Sequence, residues 1–344
     1  MQEDEQQIPI WNQEEQADSG KRAYSQDELA VCESCKRANP PTRTSCIYCG
    51  STLPISNVTA NLIKPTLRPL ENWEQGFSVV VLPDRNEVSI LALKMLSDLL
   101  RIEIENLRIA IASGRVVPLA RCASREEAEL VCKRLIDLGI RAEVASDIEL
   151  DANPVRRVRT LELTDSALFI YPTGRDERHS LQWKDISLLV IGRRIVRRLE
   201  VAERPDKKRG KEVIDSRELS SDAERLDIYT TQDEAGWRVA AENFDFSCLG
   251  EMKTLIASQN FQELVAVLRE RAPFAVYTDS YVRLRHTLGL VWPLDQRTES
   301  LGLGTSRIGR VSTGAVTTSD NELQFTRYSR LMHIIKQSHP ELTV

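Results

Sequence analysis

Four of the chain's seven cysteines fall within eighteen residues, as Cys32-Glu33-Ser34-Cys35 and, after ten intervening residues, Cys46-Ile47-Tyr48-Cys49. Two residues between paired cysteines let both sulfurs face one ion while backbone amides turn toward the thiolates. Four sulfurs at about 2.3 Å make a closed tetrahedral site, which suits one structural Zn2+ and leaves no open position for catalysis. A redox pair and an iron site are the alternatives. Gly50, directly after the last cysteine, fits the tight exit of such a turn. The segment carries almost no core of its own, so the metal is expected to supply its fold, at roughly 10–16 kcal/mol in comparable modules. Cys122, Cys132 and Cys248 stand singly in apolar-patterned segments. An odd total with such spacing argues against a secreted disulfide scaffold and for small hydrophobes in a reducing compartment.

Asn39 lies four residues after Cys35 and seven before Cys46. With this asparagine the segment resembles a Ran-binding-protein-type zinc finger or a short bacterial zinc ribbon. The former usually carries a tryptophan just before the first cysteine, where this chain has Ala30. RNA-binding members stack a base on an aromatic and read it with arginines. The resemblance therefore implies Arg37, Arg43 and Tyr48 as candidate nucleic-acid contacts. A structural or protein-binding knuckle, with Tyr48 covering the metal site, is the other reading.

At 344 residues the chain exceeds what one core usually holds, so two or three units are expected. A formal charge of −5 argues against coating DNA through an overall field. Aromatics at 6% are too few for a stacking platform spread over the surface. No run approaches the roughly 18 apolar residues of a membrane span. The start, Met1-Gln2-Glu3-Asp4-Glu5, is acidic where a secretory signal would be basic. These features predict a cytoplasmic chain without a transmembrane segment.

The expected organisation is a multidomain α+β chain. Residues 1–27 read as a disordered acidic tail in which Ile8 and Trp11 are rare apolar anchors. A zinc ribbon spans 28–53, and a linker with Pro54, Pro65 and Pro69 covers 54–72. Residues 73–150 alternate β-α-α-β-α-β: Phe77–Leu82, helical spacing from Val88 to Leu100 and from Ile104 to Ile111, Val116–Ala120 with an edge-favouring Pro118, a helix from Ser124 to Gly139, and Ala142–Val144. Ser124-Arg125-Glu126-Glu127 has the form of a capping box. This order, with Ser124-Arg125-Glu126-Glu127-Ala128-Glu129 through Leu135 to Gly139 and Val144, resembles the ribosomal stalk protein C-terminal domain over 77–146. The resemblance implies a small α/β sandwich. That family recruits translation factors through a lysine-bearing helical face, and Leu107-Arg108-Ile109-Ala110 departs from it, so factor binding is not expected.

Beyond Asn153-Pro154 the period changes to two, with strands at 161–171, 179–183 and 186–201, a charged loop, a hairpin over 225–246 and an amphipathic helix at 260–268. Leu181-Gln182-Trp183-Lys184-Asp185-Ile186 and the Asn260-Phe261 helix start resemble an antiparallel pleckstrin-homology-like β-barrel with a C-terminal helix, over 155–273. Residues 274–344 read as an extension packing on the barrel through Trp292 and Phe325. Tyr281–Trp292 fits strand or helix, and Asn321–Ile335 a final helix.

Arg193, Arg194, Arg197, Arg198, Lys207, Lys208, Arg209 and Lys211 form a candidate anionic-surface patch. A solvated charged loop at a strand end is the plainer reading. His179, His286, His333 and His339 stand alone, and neither a nucleophile elbow nor a phosphate loop is present. The expectation is a non-enzymatic zinc-binding adaptor for a protein partner. A nucleic-acid- or ribosome-associated factor and a protein docking on an anionic membrane surface are the alternatives.

Overall fold

The structure is a computed structural model that describes residues 24, 29–54, 65, 67–84, 88–174, 177–206, 210–307 and 310–342. The expected tail apart from Tyr24, most of the expected linker, Lys207, Lys208, Arg209 and the side chain of Lys211 lie outside the described residues. The chain divides into two compact units, Met1–Lys64 and Pro65–Val344. The first contributes an antiparallel pair, β1 (Ala30–Val31) and β2 (Ala38–Asn39).

The second unit opens with β3 (Phe77–Val81), α1 (Ile90–Leu100), α2 (Ile104–Ala112), β4 (Val117–Cys122), α3 (Arg125–Asp137) and β5 (Ala142–Ser146). β3 runs between β4 and β5, antiparallel to both. Its Val79, Val80 and Val81 are buried, so both faces of the central strand meet apolar partners. Pro118 is tolerated because β4 is an edge strand with a bulge beside it. Local chemistry sets the helix ends. Ser89 Oγ accepts from Ala92 N at 3.1 Å and Ser124 Oγ from Glu127 N at 3.3 Å. Gly139, at φ 80°, ends α3. The Glu127 carboxylate also accepts from Leu67 N at 3.1 Å. A complete capping box, Ser146 with Glu149, opens α4 (Asp147–Asp151).

The remaining elements are β6 (Arg156–Leu163), β7 (Ala167–Pro172), β8 (His179–Gln182), β9 (Ile186–Asp206), β10 (Gly210–Thr230), β11 (Trp237–Ala240), α5 (Ala257–Arg271), β12 (Val276–Thr278), α6 (Ser280–Val291), β13 (Asp295–Arg307), β14 (Arg310–Asp320) and α7 (Glu322–Ser338). Among the described residues the strands form one sheet in the order β13-β14-β9-β10-β11-β6-β7-β8, with β12 also pairing β9. The sheet is mixed, because β11–β6 and β12–β9 are parallel. It curls into a half-barrel whose path ends at β13 and β8, in place of the wholly antiparallel barrel expected.

Two expectations for this region change. A charged loop is expected after Val201, but β9 runs on to Asp206 and β10 starts at Gly210, the two strands pairing antiparallel along this length. The basic residues Arg193–Arg198 therefore lie within a strand rather than at its end. Residues 216–222 are exposed throughout, so this ladder runs on backbone pairing and cross-strand ion pairs without an apolar face. Of the Gly-, Ser- and Thr-rich stretch, residues 302–307 lie in β13 and residues 310–318 in β14.

β9 separates two cores by its period of two. Leu188 and Val190 join a cluster with the 77–146 sandwich, Tyr281 and Phe325. Leu189 joins the cluster inside the half-barrel, where Phe261, Leu264 and Leu268 of α5 pack. The C-terminal extension bridges both regions. Phe325 lies against Gly192 of β9, and Trp292 Nε1 donates to Ser78 Oγ of the sandwich at 3.2 Å. Buried ion pairs tie the same elements together. Arg238 makes a two-pronged pair with Asp227 at 2.7 Å and reaches Glu322 at 2.8 Å, and Glu322 also faces Arg225 at 3.4 Å. Arg121 pairs with Asp147 at 2.6 Å and donates to the carbonyls of Glu71 and Glu74, clamping that segment onto the sandwich.

Candidate metal centre

Cys32, Cys35, Cys46 and Cys49 come together with all four sulfurs within 4.8 Å of one another. Cys32 and Cys49 sulfurs are 3.6 Å apart and those of Cys35 and Cys46 3.5 Å, far beyond a disulfide bond. A tetrahedral ion with bonds of about 2.3 Å places its ligands about 3.8 Å apart. The cluster is thus positioned to hold one metal ion, with Cys32 and Cys46 buried, Cys35 half-buried and Cys49 exposed.

The two halves of the module repeat at an offset of fourteen residues. Lys36 N donates to Cys32 O at 2.8 Å, and Gly50 N to Cys46 O at 3.0 Å. Cys32 N donates to Arg37 O at 3.0 Å, and Cys46 N to Ser51 O at 2.8 Å. Val31 pairs with Ala38, and Ser45 with Thr52. The turn in each half needs a left-handed residue: Gly50 at φ 74° takes it freely, and Lys36 at φ 60° takes it with a side chain. The cysteine spacing and Gly50 were legible in advance, whereas the repeat of the backbone bonds was not.

Asn39 joins the halves. Its Oδ1 accepts from Ile47 N at 2.9 Å, and its Nδ2 donates to Arg37 O at 2.9 Å and toward Cys46 Sγ at 3.5 Å. The equivalent position in the second half is Leu53, equally buried. One half thus contributes a polar brace and the other an apolar plug.

The environment favours charged sulfur at two ligands. The Ser51 hydroxyl, 3.4 Å away, and the Ser51 amide hold the Cys49 thiol down to about 6. At Cys46 burial pushes upward, but the amides of Tyr48 and Cys49 outweigh it and lower the thiol. At Cys35 the Arg37 amide is the largest influence and lowers the thiol; burial and the three neighbouring sulfurs together overcome it, raising the group to about 11. Cys35, Cys46 and Cys49 titrate as a coupled set, and a bound cation takes the place of their protons.

Of the candidate nucleic-acid contacts, the Arg37 guanidinium sits 4.8 Å from the Tyr48 ring centre, and Tyr48 is 53% exposed. Arg43 is exposed, with its amide in a turn to Pro40 O at 3.2 Å. In the second unit, the candidate anionic-surface residues are largely paired. Arg193 meets Asp222 at 2.9 Å, Arg194 meets Asp320 at 2.5 Å and Arg198 meets Glu200 at 3.1 Å. Arg197 is exposed. Among the described residues, no helix is long and apolar enough to cross a membrane. Comparison with known proteins finds no matching family model, no similar curated protein and no similar solved structure.

Proposed function

We propose that the chain is a cytoplasmic, non-enzymatic adaptor in which one structural Zn2+ on Cys32, Cys35, Cys46 and Cys49 holds a small module that contacts a protein partner. The observation that carries this reading is the closed set of four sulfurs in a module whose large apolar side chains Val31, Ile47 and Tyr48 stay about half exposed. A four-thiolate shell has no vacant position for substrate, so the ion's role is to fold the surface rather than to react. The pleckstrin-homology-like reading draws support from the curled sheet with α5 packed in its concave core, and the stalk-like reading from the element order over 77–146. Both serve the adaptor as further contact surfaces.

The test combines native mass spectrometry with site-specific cross-linking. One zinc per chain is expected, lost in Cys32→Ser/Cys35→Ser. A photoreactive residue placed at Tyr48 should capture a discrete protein, and Ile47→Asp should lose it while keeping the zinc. Turnover of a substrate, abolished by a point change in the second unit, would overturn the reading, as would iron in place of zinc.

A second reading rests on the Arg37–Tyr48 stack, an aromatic face beside a cation of the kind single strands use. It expects salt-dependent binding of single-stranded RNA that weakens with Tyr48→Ala. Docking on anionic membranes through Arg193–Lys211 has less support, because Arg193, Arg194 and Arg198 already face carboxylates.

A further inference from the structure

Arg285 and Gly289 lie four residues apart on α6 and so share one face of the helix. That face, with Ile195 and Arg197 of β9 and Leu294 beyond the helix end, lines a cavity of about 340 Å3. The volume falls within the range of about 300–1,000 Å3 usual for small-molecule sites. Its lining is divided. Ile195, Leu290 and Leu294 are apolar, Arg197 and Arg285 are cationic, and no carboxylate contributes.

The arginines are the informative part. Arg193, Arg194 and Arg198 on the same strand meet carboxylates. Among the described residues Arg197 and Arg285 meet none. The nearby Asp320 carboxylate is committed to Arg194 and to the Glu322 amide. Two polar residues of the wall are committed too. Asn321 bonds Ile195 N at 2.6 Å and Arg193 O at 2.9 Å, and Gln324 bonds Trp292 O at 2.7 Å and the Tyr281 hydroxyl at 2.9 Å. These bonds fix Asn321 and Gln324 in advance, and the two guanidinium groups, with His286 and Ser319 beside them, supply the charged donors of the lining. Guanidinium groups bind carboxylate and phosphate through paired, charge-assisted hydrogen bonds.

Gly289 keeps the cavity open. A glycine inside a helix is unfavourable relative to alanine, and no backbone need explains it, since a Cβ would meet nothing closer than Gln324 Nε2 at 4.0 Å. What the missing side chain leaves is room.

We propose that this cavity binds a small organic anion, a carboxylate or phosphate monoester on a short apolar body. The head lies against Arg197 and Arg285, and the body covers Ile195, Leu290 and Leu294. This site is independent of the metal module.

Calorimetric titration of the full metal-loaded chain with octanoate, octyl phosphate and 1-octanol tests it, the two anions distinguishing the preferred head. One or both should bind one per chain and at least roughly tenfold tighter than the alcohol. Arg285→Gln and Arg197→Gln should each weaken the anion by roughly tenfold, with Arg198→Gln, whose partner is Glu200, without effect. Gly289→Leu should abolish binding with the thermal unfolding midpoint retained; the glutamine variants keep the test valid if the leucine perturbs folding. Anions no tighter than octanol, binding indifferent to both glutamine changes, or binding only to vesicles of anionic lipid would overturn the proposal.

Discussion

The two units are held together by different means. Among the described residues the buried apolar cluster of the cysteine module is Ala30, Cys32, Cys46 and Leu53, and two of those belong to the four-sulfur set. The second unit has two extensive apolar cores, with β9 and β10 contributing to both, and a buried Arg238–Asp227 ion pair. A segment this short removes too little surface from water to fold alone, so its stability is expected to be the affinity of the ion that the four sulfurs are positioned to hold. The larger unit draws on burial and tolerates charge inside only where charge is matched. Integrity of the first should follow metal supply, and that of the second should follow packing and pH.

Removing the metal is the most drastic way to break this contrast. Chelation, or Cys32→Ser/Cys35→Ser, should forfeit the roughly 10–16 kcal/mol that metal binding supplies in comparable modules. Amide resonances of 29–54 should collapse while those of the second unit stay dispersed. A folded metal-free module would end the distinction. Next in size is Arg238→Ala, which strands the fully buried Asp227 carboxylate. Urea unfolding should show a loss of about 3–5 kcal/mol, and Arg238→Met/Asp227→Leu should recover most of it.

A smaller effect tests the second unit through pH. His333 is 1% exposed, stacks on Tyr229 at 4.5 Å, and neither ring nitrogen has a hydrogen-bond partner. Burial, reinforced by Arg330 and opposed by Asp233, lowers it from 6.5 to about 4. Between those values the unfolded chain binds the proton and the folded chain does not. Its contribution is therefore complete above pH 6.5 and lost as pH falls toward 4, on the order of 3 kcal/mol. His333→Phe should flatten that part of the stability profile. Smallest, and opposite in sign, is Gly289→Ala, which should stabilise the second unit by up to about 1 kcal/mol in the same urea assay.

The contrast also explains what could be read in advance. The clustering of the four cysteines was legible because its chemistry is local: Cys32 to Cys49 spans one short segment, and spacing alone brings the sulfurs together. The α/β region was legible because Ser124, Gly139 and the valines of β3 act on their own elements. The far end of the β9–β10 hairpin was not, since residues 216–222 of β10 are exposed throughout and carry no apolar alternation to announce a strand. Arg225, Asp227 and Arg238 sit at alternating strand positions that look solvent-facing until Glu322 arrives from a helix 84 residues beyond Arg238. Nor was Asn39's brace visible, because Ile47 N comes from the other half of the module.

The contact between Gly192 and Phe325 limits how this chain can vary over time. A Cβ at position 192 would overlap the Phe325 ring, which is itself fully buried. Neither partner can grow alone, and shrinking Phe325 alone opens a void. Each single step is thus worse than the start, although a paired exchange of a larger residue at 192 for a smaller one at 325 restores the fit. In a lineage of such chains these two positions are expected to change together or not at all, linking the strand that divides the cores to the helix that closes them.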